Sequence, residues 1–209
     1  MSHSTTFNLI FNDKRSLFRA MRNLGLSPEN RVWSEYSTYI GKVSGIGGDL
    51  IGRLLTGAKD NINIFFSETN EGLKPNFESH ELTPEDLQVR SSKLLRDLKS
   101  EYLKVVVESM VNTIQDAGIE VSMSAETTDD HCSYMITLGN VDKSLIVTMN
   151  EYGVIEEKVE GVLGTSCVDL TESIEQKLTV SPILDRVWTH EYDVTIEDKQ
   201  IQVLKLNNN

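Results

Sequence analysis

From Leu145 to Leu178 the chain reads LIVTMNEYGVIEEKVEGVLGTSCVDLTESIEQKL: strand, turn, strand, glycine-punctuated loop, cysteine, helix. Few folds accept that order. Leu145 to Met149 and Val154 to Val159 are rich in β-branched residues, which favour a pleated, half-buried surface. Between them, Asn150-Glu151-Tyr152-Gly153 places glycine where a hairpin connection requires positive φ. Gly161 and Gly164 carry the backbone to Ser166, whose hydroxyl is positioned to cap a helix, with Asp169 three residues on. Cys167, Thr171, Ile174 and Leu178 then share one helical face. After a turn at Pro182, strand patterns at Asp185 to Val194 and Gln200 to Leu206 close this half as ββαββ.

The preceding residues predict a second α+β arrangement. Phe7, Leu9 and Phe11 alternate in a strand over Thr6 to Phe11, and Asn12 or Asp13 can cap a helix with the stripe Leu17, Ala20, Met21 and Leu24, ended by Gly25. Arg31 to Lys42, Asn61 to Glu68 and Lys74 to Glu81 have strand character. Thr83-Pro84-Glu85-Asp86 is a helix start, with cap, proline at the first helical position and an acid at the third. It predicts a short helical turn leading into a long amphipathic helix over Ser91 to Ala117, with Gly118 as its stop. A hairpin follows, Ile119 to Glu126 and Ser133 to Leu138.

The expected fold class is therefore α+β, with two small antiparallel-sheet units and helices on one face. The domains are residues 1–140, with the long helix near 91–117, and 141–209. Gly139 to Lys143 marks the boundary, but it is too short for a flexible linker, so the two sheets adjoin or are continuous.

Gly45 to Gly57, GIGGDLIGRLLTG, has five glycines and invites a phosphate-binding reading. A phosphate loop needs G-x-x-x-x-G-K-[ST] at the start of a helix. Here Gly57 is followed by Ala58, Lys59 and Asp60, so the lysine is one place late and a carboxylate replaces the hydroxyl, and a strand pattern follows. A turn or flap is expected instead, and its apolar residues Ile46, Leu50, Ile51, Leu54 and Leu55 are the candidate partner-binding ridge.

Charge narrows the function classes. The 209 residues carry 20 Lys and Arg against 32 Asp and Glu, a formal charge of −12. Direct nucleic-acid binding is not expected from such a chain, because that affinity rests on neutralising phosphates. An acidic decoy that occupies a nucleic-acid-binding protein stays open. No apolar run approaches the roughly 18 residues of a membrane helix, and MSHSTTFNLIF lacks the basic start of a secretory signal. A cytoplasmic, unanchored protein is expected. Cys132 and Cys167 alone give no disulfide framework.

Chemistry-bearing residues are few. Cys167 at a helix start is the one candidate nucleophile, since backbone N–H groups there lower a thiol's pKa. Its helical phase with Ile174 and Leu178 favours packing, and a thiol-dependent enzyme remains the lesser alternative. His131 beside Cys132 is the best metal candidate, but no ligands are paired as zinc sites require. No catalytic residue, metal or cofactor is assigned. The carboxylate pairs Glu156-Glu157 and Asp129-Asp130 read as solvated surface.

The run Val147 to Glu175, with Gly153, Glu160-Gly161, Gly164, Ser166-Cys167, Thr171 and Glu175 in that spacing, resembles the small bacterial and cyanobacterial family catalogued as domain of unknown function 2997. Thr189-His190-Glu191-Tyr192 falls where that family has a Glu-Tyr-rich ending. The first 140 residues resemble domain of unknown function 1257, the "hypothetical chloroplast reading frame 35" type. The Met1-Ser2-His3 opening, the start ending in Leu24-Gly25-Leu26, and Tyr102 to Leu138 as a helix running into a hairpin carry that likeness. The chain departs from this second family in the Gly45 to Gly57 insert and across Arg31 to Glu81. The two families are usually separate proteins encoded together, so the resemblance implies that the halves act side by side. Their genes accompany AAA-type ATPases, which implies a non-enzymatic adaptor or accessory subunit with an ATPase as its protein partner.

Overall fold

The computed structural model describes residues 3–26, 31–32, 48–56, 60–79, 81–128, 130–139, 143–161, 166–180 and 183–188. The architecture is α+β, with strands and helices interspersed along the chain. Two compact units form. One comprises Met1–Leu9 with Val106–Asn209, and the other Ile10–Val105.

The first unit holds a six-stranded antiparallel sheet. Its strands are β1 (His3–Asn8), β6 (Val121–Thr127), β7 (His131–Leu138), β8 (Ser144–Asn150), β9 (Val154–Glu160) and β10 (Asp185–Trp188), in the order β10-β1-β9-β8-β7-β6. Alternation buries one face: Cys132, Tyr134, Ile136 and Leu138 from β7, Leu145, Val147 and Met149 from β8, Ile155 and Val159 from β9, and Phe7 from β1. Helix α3 (Ser166–Leu178) buries Thr171, Ile174 and Leu178, and Val106 to Ile114 supply further core residues from the end of α2 (Pro84–Asp116). The β8–β9 turn is built as its residues dictate. Asn150 Oδ1 accepts from the backbone N–H groups of Tyr152 and Val154, both at 3.0 Å, and Gly153 takes φ +83°.

The second unit holds a four-stranded antiparallel sheet of β2 (Arg31–Val32), β3 (Gly48–Thr56), β4 (Asp60–Thr69) and β5 (Gly72–Glu78), in that order. Helix α1 (Lys14–Asn23) is capped by Asp13, whose carboxylate accepts from the N–H groups of Arg15 and Ser16 at 3.3 and 3.1 Å. Leu17, Ala20 and Met21 are buried from it. The core centres on Tyr102 of α2. Its hydroxyl accepts from the backbone N–H groups of Asn12 at 3.1 Å and Asp13 at 2.9 Å, and its ring meets Phe11 edge-on at 5.1 Å. Phe11 also meets Phe66 edge-on at 5.5 Å and bridges to Leu73. Burial pushes the Tyr102 hydroxyl pKa up to about 12, so it stays a neutral phenol.

Several expectations change in detail. The helical turn before Ser91 and the long helix are one element of 33 residues, because Thr83 caps it directly: its Oγ1 accepts from Asp86 N–H at 3.2 Å. β1 begins at His3 and ends at Asn8, with Phe11 beyond it in the bridge to Leu73. The segment expected as a turn or flap is strand β3 from Gly48 onward, paired with β4 from Gly48↔Ser67 to Thr56↔Asp60. Its glycines mislead because Gly52 follows an irregularity in that ladder, a place where glycine serves a strand. β7 pairs with β8 across the expected boundary at 139–143, so the sheet runs through it. The compact units divide after Leu9 and inside α2.

Tyr102→Phe keeps the ring and removes the acceptor for two backbone N–H groups. It should cost about 1–3 kcal/mol, the penalty of leaving such donors unpaired, read as a lower urea midpoint. Gly72 has φ +97°, and a Cβ there would stand 2.6 Å from Ile10 Cγ2. Gly72→Ala should therefore lower the midpoint as well, by about 1–2 kcal/mol or more from the left-handed backbone alone.

Candidate functional site

Where β10, β1 and β9 run side by side, the sheet's buried face turns polar. His3 and Thr5 of β1 and Glu157 of β9 point inward at positions that are apolar in β7 and β8, and none is more than 1% exposed. Strand register sets the neighbours: Thr5 stands opposite both Glu157 and Arg186, and His3 opposite both Val159 and Trp188. Arg186 ties the group together. Its Nε donates to Thr5 Oγ1 at 3.1 Å, and its Nη2 donates to both carboxylate oxygens of Glu175 on α3, at 2.7 and 2.9 Å. The guanidinium carbon lies 5.6 Å from the Trp188 ring centre, and the His3 ring 5.3 Å from it.

Two members of this cluster are unsatisfied. Among the described residues, neither ring nitrogen of His3 nor either carboxylate oxygen of Glu157 has a hydrogen-bond partner, an exception to the rule that buried polar atoms are paired. Burial first, and then the Glu175 carboxylate, push the Glu157 pKa well above the ordinary range, with Arg186 opposing. Burial and the same Arg186 lower the His3 pKa to about 4. Burial thus disfavours the charged form of both side chains, while the arginine is paired with Glu175.

The opposite edge of the sheet presents a surface of another kind. β6 pairs with β7 on one side, and among the described residues nothing pairs on its other side. Val121, Met123 and Ala125 stand opposite the buried Leu138, Ile136 and Tyr134, yet Met123 is 36% exposed and Ala125 is exposed too. Met135 on the other face, opposite Ser124, is 46% exposed. The bond from Gly139 N–H to the Glu120 carbonyl sets the phase of the ladder. Ser122, Ser124 and Glu126 turn their backbone groups toward β7, while Val121, Met123, Ala125 and Thr127 turn theirs to the open side. The strand carries one charge, Glu126, and neither lysine nor proline, the usual guards of an exposed edge.

The residues singled out by sequence fall elsewhere. Cys167 is the second residue of α3, and its side chain lies outside the described part. Ile46 lies outside the described residues. Leu50, Ile51, Leu54 and Leu55 are positions of β3, which pairs with β4 along its length and with β2 at Asp49 and Leu50, with Leu50 opposite Phe65 and Leu54 opposite the buried Ile62. His131 opens β7, its Nδ1 3.0 Å from Thr128 Oγ1, and Cys132 is buried beside it in the strand. Among the described residues no group of three or more His, Cys, Asp or Glu side chains is placed to hold a metal. No helix among them is long and apolar enough to cross a membrane. Sequence reading missed the His3–Glu157–Arg186 cluster. Taking Glu156-Glu157 as a solvated pair ignored the strand phase, which puts Glu157 between Ile155 and Val159 on the buried face.

Residues 145–192 match the model of the family described as Protein of unknown function (DUF2997), which confirms the resemblance of the C-terminal part. No curated protein matches the chain.

The cluster's ionisation makes stability depend on pH with two opposite signs. An unfolded Glu157 releases its proton near pH 4.5 while the folded one keeps it, so this residue lowers stability as pH rises above that value. An unfolded His3 gains a proton below pH 6.5 while the folded one resists it down to about 4, so this residue lowers stability as pH falls through that window. In urea titrations across pH, Glu157→Gln should flatten the loss on the alkaline side and His3→Gln the loss on the acid side.

Proposed function

We propose that the chain, whose residues 145–192 match the DUF2997 family model, is a non-enzymatic protein-interaction subunit, an adaptor accessory to an AAA-type ATPase in the cytoplasm. The observation that carries this reading is the open edge of β6. It offers outward backbone groups at Val121, Met123, Ala125 and Thr127 and exposed thioether side chains at Met123 and Met135. Such an edge accepts an extended partner segment as an added strand: main-chain hydrogen bonds supply affinity, and the alternate side chains supply specificity. Methionine suits the task, being apolar and able to refit to different contacts. The formal charge of −12 favours a partner segment of basic character and speeds its approach.

The ATPase as partner rests on the family resemblance, in which such genes accompany one another. The apolar positions Leu50, Ile51, Leu54 and Leu55, with Ile46, are a second candidate contact. β3 pairs with β4 along its length and with β2 only at Asp49 and Leu50.

Capture of the tagged chain from its own cells should recover an AAA-type ATPase. Ala125→Pro removes one outward N–H without touching the ladder to β7, a substitution an edge strand tolerates. It should reduce recovery about tenfold, the equivalent of about 1.4 kcal/mol. Recovery of the chain alone counts against the adaptor reading, and equal recovery by wild type and Ala125→Pro counts against the β6 edge as the docking surface.

A further inference from the structure

The region matching the family supplies β8, β9, α3 and β10, but its strands do not form a continuous sheet by themselves. Between β9 and β10 lies a slot one strand wide, and β1 fills it from the far end of the chain. β1 pairs with β9 from His3↔Val159 to Asn8↔Val154, and with β10 from His3↔Trp188 to Thr6↔Asp185. Leu9 donates one more bond to the Gly153 carbonyl at 2.8 Å, and from Ile10 the chain belongs to the other compact unit. β1 is thus a strand lent to a sheet from which the chain at once departs.

The seat is held less by side chains than its neighbours are. β8 buries Leu145, Val147 and Met149, whereas β1 buries His3, Thr5 and Phe7, with only the last of these apolar. Two of the polar groups in the seat, His3 and Glu157, have no hydrogen-bond partner among the described residues. Backbone bonds to two flanking strands supply the rest, and these are the bonds that any copy of the same strand forms equally well.

We propose that the slot between β9 and β10 is a strand-acceptor site and that β1 of a second copy of this chain occupies it, giving a β1-exchanged dimer. A second copy is the occupant of choice because it reproduces every contact of the seat: the register on both sides, the Arg186 bond to Thr5 and the ring contact of His3 with Trp188. Only the joint after Leu9, where the chain passes from one compact unit to the other, has to differ, which is the condition under which identical elements exchange between protomers. The inference stands independently of the β6 edge and of any ATPase.

Cysteine pairing across the register tests it. The bond from Leu9 N–H to Gly153 makes Thr6↔Glu156 a non-hydrogen-bonded pair on the sheet's outer face, the closer of the two kinds and within reach of a disulfide. Thr6→Cys and Glu156→Cys are made in separate chains, co-expressed and mildly oxidised. The double variant in a single chain, expressed alone and kept dilute, serves as the control for register. Exchange predicts a species of twice the chain mass by light scattering, in which peptide mapping finds a disulfide between position 6 of one chain and position 156 of the other. Mapping also separates that link from any made by Cys132 or Cys167. The proposal is overturned if the control closes its bridge within one chain while the co-expressed pair stays monomeric and unlinked, or if a dimer forms without the 6–156 link. A control that closes no bridge places β1 outside the slot and overturns it too. Displacement of β1 by an unrelated protein's segment, seen as loss of the control's bridge in cell extract with no chain-to-chain link, overturns the choice of a second copy.

Discussion

The backbone ladder from β1 to β9 on one side and to β10 on the other is the constraint on which the first unit depends. Six register pairs join β1 to β9 and four join it to β10. Without β1, two strands that the chain separates by helix α3 would each present an open edge, and β10, with four residues, is too short to hold its place by backbone bonds alone. The Glu175–Arg186 pair reinforces the arrangement. The bidentate contact ties α3 to β10, and the same arginine reaches Thr5. A helix, an edge strand and an inserted strand are thereby bound through one guanidinium, whose planar donors suit several partners at once.

That convergence brings an electrostatic penalty. Two carboxylates and one arginine share a buried space, and only Glu175 is paired. Replacing Glu157 by an apolar residue would fit the pattern of Ile155 and Val159 on the same strand, as β8 does with Leu145, Val147 and Met149. Its buried carboxyl adds nothing to packing that a leucine would not, and its burial costs desolvation. The same holds for His3, which contributes a ring against Trp188 while its two nitrogens find no partner among the described residues. Local rules broken together on adjacent strands point to a role other than stability, and the seat of β1 is where they meet.

Much of the fold was readable because local chemistry and tertiary structure agree. Asp13 and Thr83 cap the helices they were expected to cap, Gly118 and Gly153 take the positive φ their positions demand, and the β8–β9 hairpin follows from Asn150 and Gly153. What could not be read is non-local. No pattern in HSTTFN says that its partners are residues 154–159 and 185–188, because strand pairing across the whole chain leaves no periodic trace in either segment. The cluster was invisible for the same reason, since His3, Glu157, Glu175 and Arg186 are brought together only by that pairing. One signal was available: in Val154-Ile155-Glu156-Glu157-Lys158-Val159, the period of two that makes Ile155 and Val159 inward makes Glu157 inward as well. Among 32 acids, an adjacent Glu-Glu pair reads by composition as solvated surface, and only the strand phase tells the two apart.

The two edges of the six-stranded sheet show different solutions to one problem. At β10 the edge is short, its Arg186 is anchored to α3, and it carries Asp185 and Arg186, charges that discourage a further strand. At β6 the edge is seven residues long, nearly uncharged, and shows apolar side chains on its inward phase, which the helices leave uncovered. A protein under pressure only to stay monomeric would guard the longer edge first. The guard sits instead on the shorter edge beside the inserted strand, while among the described residues nothing pairs with the row of outward N–H and C=O groups on the longer one. That asymmetry is what strand addition at β6, as proposed above, requires.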